Sequence, residues 1–241
     1  MNDAKNLLKW YVEMGVDSFL SEKPINRLKK REEKLELKAK APEYNASREI
    51  ADKCNDLQKL EQAVRAFDGC AIKKGATNTV FKDGDPKSKI MLIGEAPGAN
   101  EDEQGIPFCG LSGKLLNNIL LAIGLKREEV YISNTVFWRP PGNRRPTTEE
   151  IKICRPFVEK HVALVAPKLI ILVGNTAVES LLDLKVSMAS LRGKYFDYSN
   201  PYLSKPIKTA VIFHPAYLLR QALKKKEMWM DILKIKKEFL S

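Results

Sequence analysis

The chain is poor in the residues that build metal and redox centres. It holds two histidines and four cysteines in 241 residues, and no two cysteines stand as Cys-x-x-Cys. Neither a zinc ribbon nor a thioredoxin-type dithiol is supported, and Cys54, Cys70, Cys109 and Cys154 read as reduced, partly buried thiols. No apolar run approaches the roughly 20 residues that cross a bilayer, so no membrane partner is expected. The opening MNDAKNLLKWYVEMG is amphipathic and lacks the apolar stretch and cleavage site of a signal peptide. A cytoplasmic protein is therefore expected. A P-loop is missing, because Leu115 follows Gly113-Lys114 and Phe108 stands where the first glycine should be. There is no Gly-x-Gly-x-x-Gly fingerprint, no Mg²⁺-type carboxylate cluster, no internal repeat and no low-complexity tract. Acidic residues are also short: 30 against 41 Lys and Arg, a net charge of +11. That excess favours an anionic partner, with nucleic acid first.

What is present is an alternation of strand and helix from residue 68 onward. Apolar runs predict strands over 90–93, 130–133, 169–173 and 210–213. Helical spacing predicts helices over 112–123, 175–182 and 217–239, and one capped by Thr147 or Thr148 that carries Ile151, Cys154, Val158, Val162 and Val165. This pattern implies an α/β fold with a parallel sheet covered on both faces. Ahead of it, residues 47–67 form a helix with Ser47 as N-cap, residues 2–20 a short amphipathic helix, and residues 23–40 a basic solvated stretch. The chain thus divides into a helical, basic extension over 1–45 and an α/β domain over 46–241.

One stretch, KIMLIGEAPGANEDEQGIPFCGLSG over 89–113, stands out. A buried strand stops at Gly94-Glu95, and helical spacing resumes only after Gly113. Ordinary βα connections take about 2–6 residues. In open α/β sheets, ligands bind just beyond the carboxyl ends of the strands. Those ends carry Glu95, Asn134, Gly174-Asn175 and His214. Of the two histidines, His161 lies within a helix and reads as structural or surface, whereas His214 follows a strand and precedes a turn-setting proline. An Asn side chain offers a donor and an acceptor side by side, which matches the O4/N3–H edge of uracil. An aromatic such as Phe108 can stack on a base taken out of its helix. A histidine can donate to an anion developing on the leaving base. A carboxylate can orient water and face the positive charge growing on the sugar. A nucleotide hydrolase could use the same set.

Gly94-Glu-Ala-Pro-Gly98, Glu101-Asp102, Gly105-Ile-Pro-Phe108, Asn134, Arg139-Pro-Pro-Gly-Asn-Arg144 and His214-Pro-Ala-Tyr-Leu-Leu-Arg220, in that order, resemble the family 4 uracil-DNA glycosylases. The resemblance runs from about Leu57 to the C-terminus. It implies a three-layer αβα sandwich with a central four-stranded parallel sheet, and release of uracil from DNA by hydrolysis of the N-glycosidic bond. By position it assigns Glu95, with Gly94, Ala96 and Gly98, to the loop that holds uracil and the attacking water. It assigns Phe108 to stacking, Asn134 to the base edge and His214 to O2 of the leaving base. Related glycosylases carry an aspartate where Ala96 stands, so Glu95 is the first choice of catalytic carboxylate and Glu101 the second. Leu218 falls where the superfamily places an apolar wedge, and Ser112 and Arg220 fall at phosphate-contact positions. The resemblance also brings a 4Fe–4S cluster on four cysteines. Here Cys70 and Cys154 match two of the ligand positions, while Phe67 and Trp138 replace the others. Two thiolates do not hold such a cluster. A cluster-free, metal-free, monomeric enzyme acting on uracil-containing DNA is the leading expectation, with no protein partner indicated. The alternatives are a non-catalytic DNA-damage binder on the same fold and a glycosylase of broader base range.

Overall fold

The computed structural model describes residues 41–240, and the helix and basic stretch expected over residues 2–40 lie outside them. Its centre is a sheet ordered β1-β3-β2-β4-β6-β5. The strands are β1 (Asp83–Gly84), β2 (Ile90–Gly94), β3 (Tyr131–Asn134), β4 (Leu169–Val173), β5 (Tyr195–Tyr198) and β6 (Ile207–Ile212). The four central strands are parallel, as expected, and pair Gly94 with Asn134, Ile93 with Leu172 and Val173 with Ile212. Two antiparallel edge strands were not expected. β1 is only two residues long, and β5 (Tyr-Phe-Asp-Tyr) is half-exposed, so neither leaves an apolar run in the sequence.

The helices are α1 (Ala41–Lys53), α2 (Leu57–Ala66), α3 (Ala99–Gln104), α4 (Leu111–Ala122), α5 (Thr148–Val165), α6 (Asn175–Leu182), α7 (Met188–Leu191), α8 (Pro215–Arg220) and α9 (Lys225–Phe239). Successive strand residues point to opposite faces. Met91, Ile93, Ile170 and Leu172 pack beneath α1, α2, α5 and α6. Their neighbours Ile90, Leu92, Ile171 and Val173 pack beneath α4, α8 and α9. The result is an αβα sandwich whose central strands are buried on both sides. Among the described residues no helix is long and apolar enough to cross a membrane.

Local chemistry explains where the elements depart from the sequence pattern. α1 runs across the boundary placed at residues 45–46, and Ser47 is inside it, its hydroxyl donating to the Tyr44 carbonyl at 2.9 Å. The helix expected over 47–67 is two helices, because Asp56 caps α2 by accepting from the Lys59 N–H at 2.7 Å. Thr147, not Thr148, caps α5, in a reciprocal pair with Glu150 at 3.2 and 2.8 Å. The terminal helix is interrupted at Gln221, whose φ of −125° and ψ of 74° leave the helical region. Leu218 in α8 and Met228 in α9 are both buried. The long connection after β2 is also less irregular than expected, since it contains α3 and α4 begins at Leu111.

Candidate active site

Parallel strand ends gather the polar residues on one edge. β2 ends at Gly94 beside Asn134, the last residue of β3, and β6 ends two residues before His214. Over this edge opens a cleft of about 550 Å³ lined by Glu95, Ala96, Gly98, Glu101, Phe108, Ser112, Asn134, His214 and Arg220. Asn143, Arg144 and Tyr217 complete its rim. Gly94 and Leu218, of the expected residues, do not line it. Gly94 lies underneath: a Cβ there would come within 2.5 Å of both Asn134 Oδ1 and the Phe108 ring. Its lack of a side chain is what lets these two groups meet.

Asn134 is 2 % exposed, yet its Oδ1 has no partner among the described residues. Burying an unpaired polar atom costs about 1–3 kcal/mol, and this one lies at a residue that lines the cleft, where a bound molecule can supply the missing bond.

Phe108 adopts φ +51°, rare for a residue with a side chain. Arg127 holds the turn, donating to the Phe108 carbonyl at 3.0 Å and the Pro107 carbonyl at 2.6 Å while its Nε pairs with Asp83 at 2.6 Å. Gly113 makes room, since a Cβ there would lie 1.7 Å from the Phe108 carbonyl oxygen. The phenyl ring stacks against His214 at 5.6 Å between centroids, tilted by 29°.

The two candidate carboxylates sit in different surroundings. Glu101 is saturated by backbone donors: Gly98 N–H at 3.1 Å, Cys109 N–H at 3.0 Å and Gly110 N–H at 2.9 Å. It stitches the start of α3 to the start of α4. Its neighbour Asp102 anchors the same loop by accepting from Thr77 and Asn78 at 2.8 and 3.1 Å. Glu95 is tethered at one carboxylate oxygen only, where Oε2 accepts from the Thr176 hydroxyl. Its backbone carbonyl accepts from the Thr135 hydroxyl at 2.6 Å.

The two histidines also diverge. His214 caps α8 with its own ring, Nδ1 accepting from the Ala216 N–H at 3.2 Å. In the neutral ring the proton therefore sits on Nε2. Burial lowers the His214 pKa; Glu95 opposes that shift and Arg220 adds to it. His161 is buried, pairs through Nε2 with the Tyr131 hydroxyl at 2.6 Å and stacks on Phe81 at 4.3 Å. Burial pushes its pKa down to about 3. It is a core residue.

Leu218 is a correction to the sequence reading. It is 1 % exposed and packs with Leu116 and Met228, so it is not a free wedge. On the short α8 it shares the inner face with Pro215, three residues earlier, which leaves Leu219 and Arg220 outward. Leu219 is 48 % exposed.

Away from the cleft, Cys70 and Cys154 are fully buried in one apolar cluster with Phe67 and Trp138. Phe67 meets Phe157 edge-on at 5.1 Å and lies over Gly69, while the Trp138 indole N–H donates to Thr79 at 3.0 Å. Among the described residues no three His, Cys, Asp or Glu side chains gather as metal ligands. These residues do not fit a four-thiolate cluster.

Sequence reasoning missed Arg127 and Thr176. Thr176 stood one residue beyond the strand end Gly174-Asn175 that had been noted, whereas nothing local pointed to Arg127.

A family model described as the uracil DNA glycosylase superfamily matches residues 81–233. The chain is 34 % identical over 181 residues to the Type-4 uracil-DNA glycosylase of Pyrobaculum aerophilum, covering 73 % of this chain and 91 % of that one. It is 36 % identical over 186 residues to the Type-4 uracil-DNA glycosylase of Archaeoglobus fulgidus, covering 74 % and 92 %. The Type-4 uracil-DNA glycosylase of Thermotoga maritima is 38 % identical over 165 residues, covering 68 % and 83 %.

Proposed function

The chain belongs to the uracil DNA glycosylase superfamily, and from that premise we propose that it excises uracil from DNA by hydrolysing the N-glycosidic bond and leaving an abasic site. The observation that carries this reading is the unpaired, buried Oδ1 of Asn134 next to the Phe108 ring. An amide there accepts from uracil N3–H and donates to O4, whereas cytosine presents the reverse pattern. Rejecting a base that leaves buried polar groups unpaired is a strong source of discrimination.

The uracil nucleotide leaves the stack and enters the cleft, and its base lies on Phe108. As the glycosidic bond lengthens, negative charge accumulates on O2 of the base, and the neutral His214 ring donates its Nε2–H to it. A neutral donor suits this role because the leaving uracil anion is stabilised without first charging a buried imidazole. Glu95 faces the positive charge growing on the sugar and holds the water that attacks it. Glu101 shapes the loop and takes no part in the chemistry, since its oxygens are committed to three backbone donors. Ser112 and Arg220 bind phosphates along the cleft rim, and Leu219 fills the gap left by the flipped nucleotide. The enzyme works as a monomer in the cytoplasm, and without an iron–sulfur cluster; Phe67 and Trp138, buried in one apolar cluster with Cys70 and Cys154, support this last point.

The test uses matched oligonucleotides containing uracil, thymine or hypoxanthine, followed by alkaline cleavage at abasic sites. Cleavage at uracil alone is expected. Cleavage at hypoxanthine would widen the base range, and binding without cleavage would make the protein a damage binder.

A further inference from the structure

β4 leads into α6 through a single residue, Gly174, at φ +93°, with a Cβ-free face 3.0 Å from the His214 Cβ. That abrupt turn sets Thr176 in the first turn of α6, where it is 2 % exposed and within hydrogen-bond reach of the cleft-lining Glu95. Thr176 Oγ1 accepts from Arg145 Nε at 2.9 Å and donates to Glu95 Oε2. A hydroxyl has one proton, and Arg145 can only donate, so the direction of the chain is determined: Arg145 to Thr176 to Glu95. Arg145 is itself held by Glu179 at 2.7 Å, and Glu179 accepts from the Asn175 amide at 2.6 Å. Glu95 Oε1 is left without a hydrogen bond among the described residues, on a side chain that lines the cleft.

We propose that Thr176 and Arg145 are positioning residues for the glycosylase reaction: they lock the Glu95 carboxylate through Oε2 and keep Oε1 free to hold the attacking water. The inference rests on the uracil-hydrolysis reading and adds to it a part of the machinery outside the four strand ends. A carboxylate on a flexible side chain otherwise samples several rotamers, and a misplacement of about 1 Å can cost on the order of 100-fold in rate. The Thr176 hydroxyl acts on only one of the two oxygens, which is what separates a positioning contact from simple neutralisation. The cationic end of the relay, Arg145, stands two residues from Asn143 and next to Arg144, both on the cleft rim.

The experiment is single-turnover uracil release with saturating enzyme, together with affinity for the same DNA, for wild type, Thr176→Val, Thr176→Ser, Glu95→Gln and the Thr176→Val/Glu95→Gln pair. Thr176→Val keeps the shape of the side chain, and its melting temperature reports whether the fold survives. The expected result is a rate loss of about tenfold to a hundredfold in Thr176→Val with DNA affinity changed less than about threefold. Thr176→Ser should restore the rate to within about threefold, and the pair should be no slower than Glu95→Gln alone. Additive losses in the pair, a serine variant as slow as the valine one, or an unchanged valine variant would each overturn the relay. Absence of uracil release from the wild type would instead overturn the functional reading itself.

Discussion

The cleft and the cysteine-containing cluster are two buried regions of one fold, and they treat their polar atoms in opposite ways. In the cluster, Trp138 is 1 % exposed and its N–H is paired with Thr79, and Phe67 meets Phe157 edge-on within the same apolar cluster as Cys70 and Cys154. In the cleft, Asn134 is almost equally buried but keeps an unpaired oxygen, Phe108 sits in a left-handed backbone conformation, and the half-buried His214 ring has its pKa lowered by burial. One region is packed to be stable. The other carries unpaired and strained groups that a substrate can satisfy, and its cost is borne by the surrounding core.

The largest effects should come from breaking the cleft. His214→Ala and Asn134→Ala should each lower single-turnover uracil release by about 100-fold or more, the scale of losing one preorganised donor at a developing anion. Asn134→Ala should move the denaturation midpoint little, whereas His214→Ala also removes the cap of α8 and should cost about 1 kcal/mol. A variant of either residue with full activity would remove it from the site.

Next come truncations of packed side chains. Trp138→Ala should cost about 3–5 kcal/mol and Leu218→Ala about 2–5 kcal/mol in urea unfolding. Whatever activity the folded fraction retains should have a nearly unchanged base preference. Were Leu218→Ala to leave stability intact and impair only flipping, the burial of Leu218 would not describe its role.

A smaller, pH-dependent effect belongs to His161. Its pKa is about 3 when folded and about 6.5 when unfolded. The unfolded chain therefore takes up a proton that the folded one refuses, and stability is full above about pH 6.5 and lost as pH falls toward 3. Between pH 6.5 and 4.5 this group should account for about 2–3 kcal/mol. His161→Asn should show a flatter pH slope in urea titrations, and an identical slope would assign the acid sensitivity elsewhere.

The smallest effect should be at the exposed apolar turn. Leu219→Ala should slow release from duplex DNA several-fold and leave single-stranded DNA untouched, because only the duplex has a gap to fill. Equal loss on both substrates would make Leu219 a general contact.

Much of the fold could be read in advance. The strands at Ile90 and Leu169 are uninterrupted apolar runs bounded by Gly or charged residues, and the strand at Tyr131 continues the short apolar run from Val130 into Ser133 and Asn134, signals that buried parallel strands leave. β5 left none, because Tyr195 to Asp197 are half-buried or exposed and its pairing with β6 is decided across the sheet. Of the cleft-lining residues Glu95, Phe108, Asn134 and His214, chain order places Glu95, Asn134 and His214 at strand ends, while Phe108 was picked out from the long loop after β2. The supports of this set were not legible. Thr176 reaches Glu95 across a separation of 81 residues, and Arg127 reaches Asp83 across 44. No local pattern encodes either contact.

Chain order and apolar periodicity alone thus determined the parallel α/β sheet and the placing of Glu95, Asn134 and His214 at its carboxyl edge, because strand polarity and side-chain alternation are local properties of the backbone. The tertiary structure alone decided which loop carboxylate is free, which nitrogen of His214 carries the proton and that Leu218 faces inward. Those outcomes depend on backbone donors competing for Glu101, on the Ala216 N–H at the start of α8 and on the apolar cluster of Leu116 and Met228 that takes up Leu218. Each is a contest between neighbours that meet only once the chain has folded.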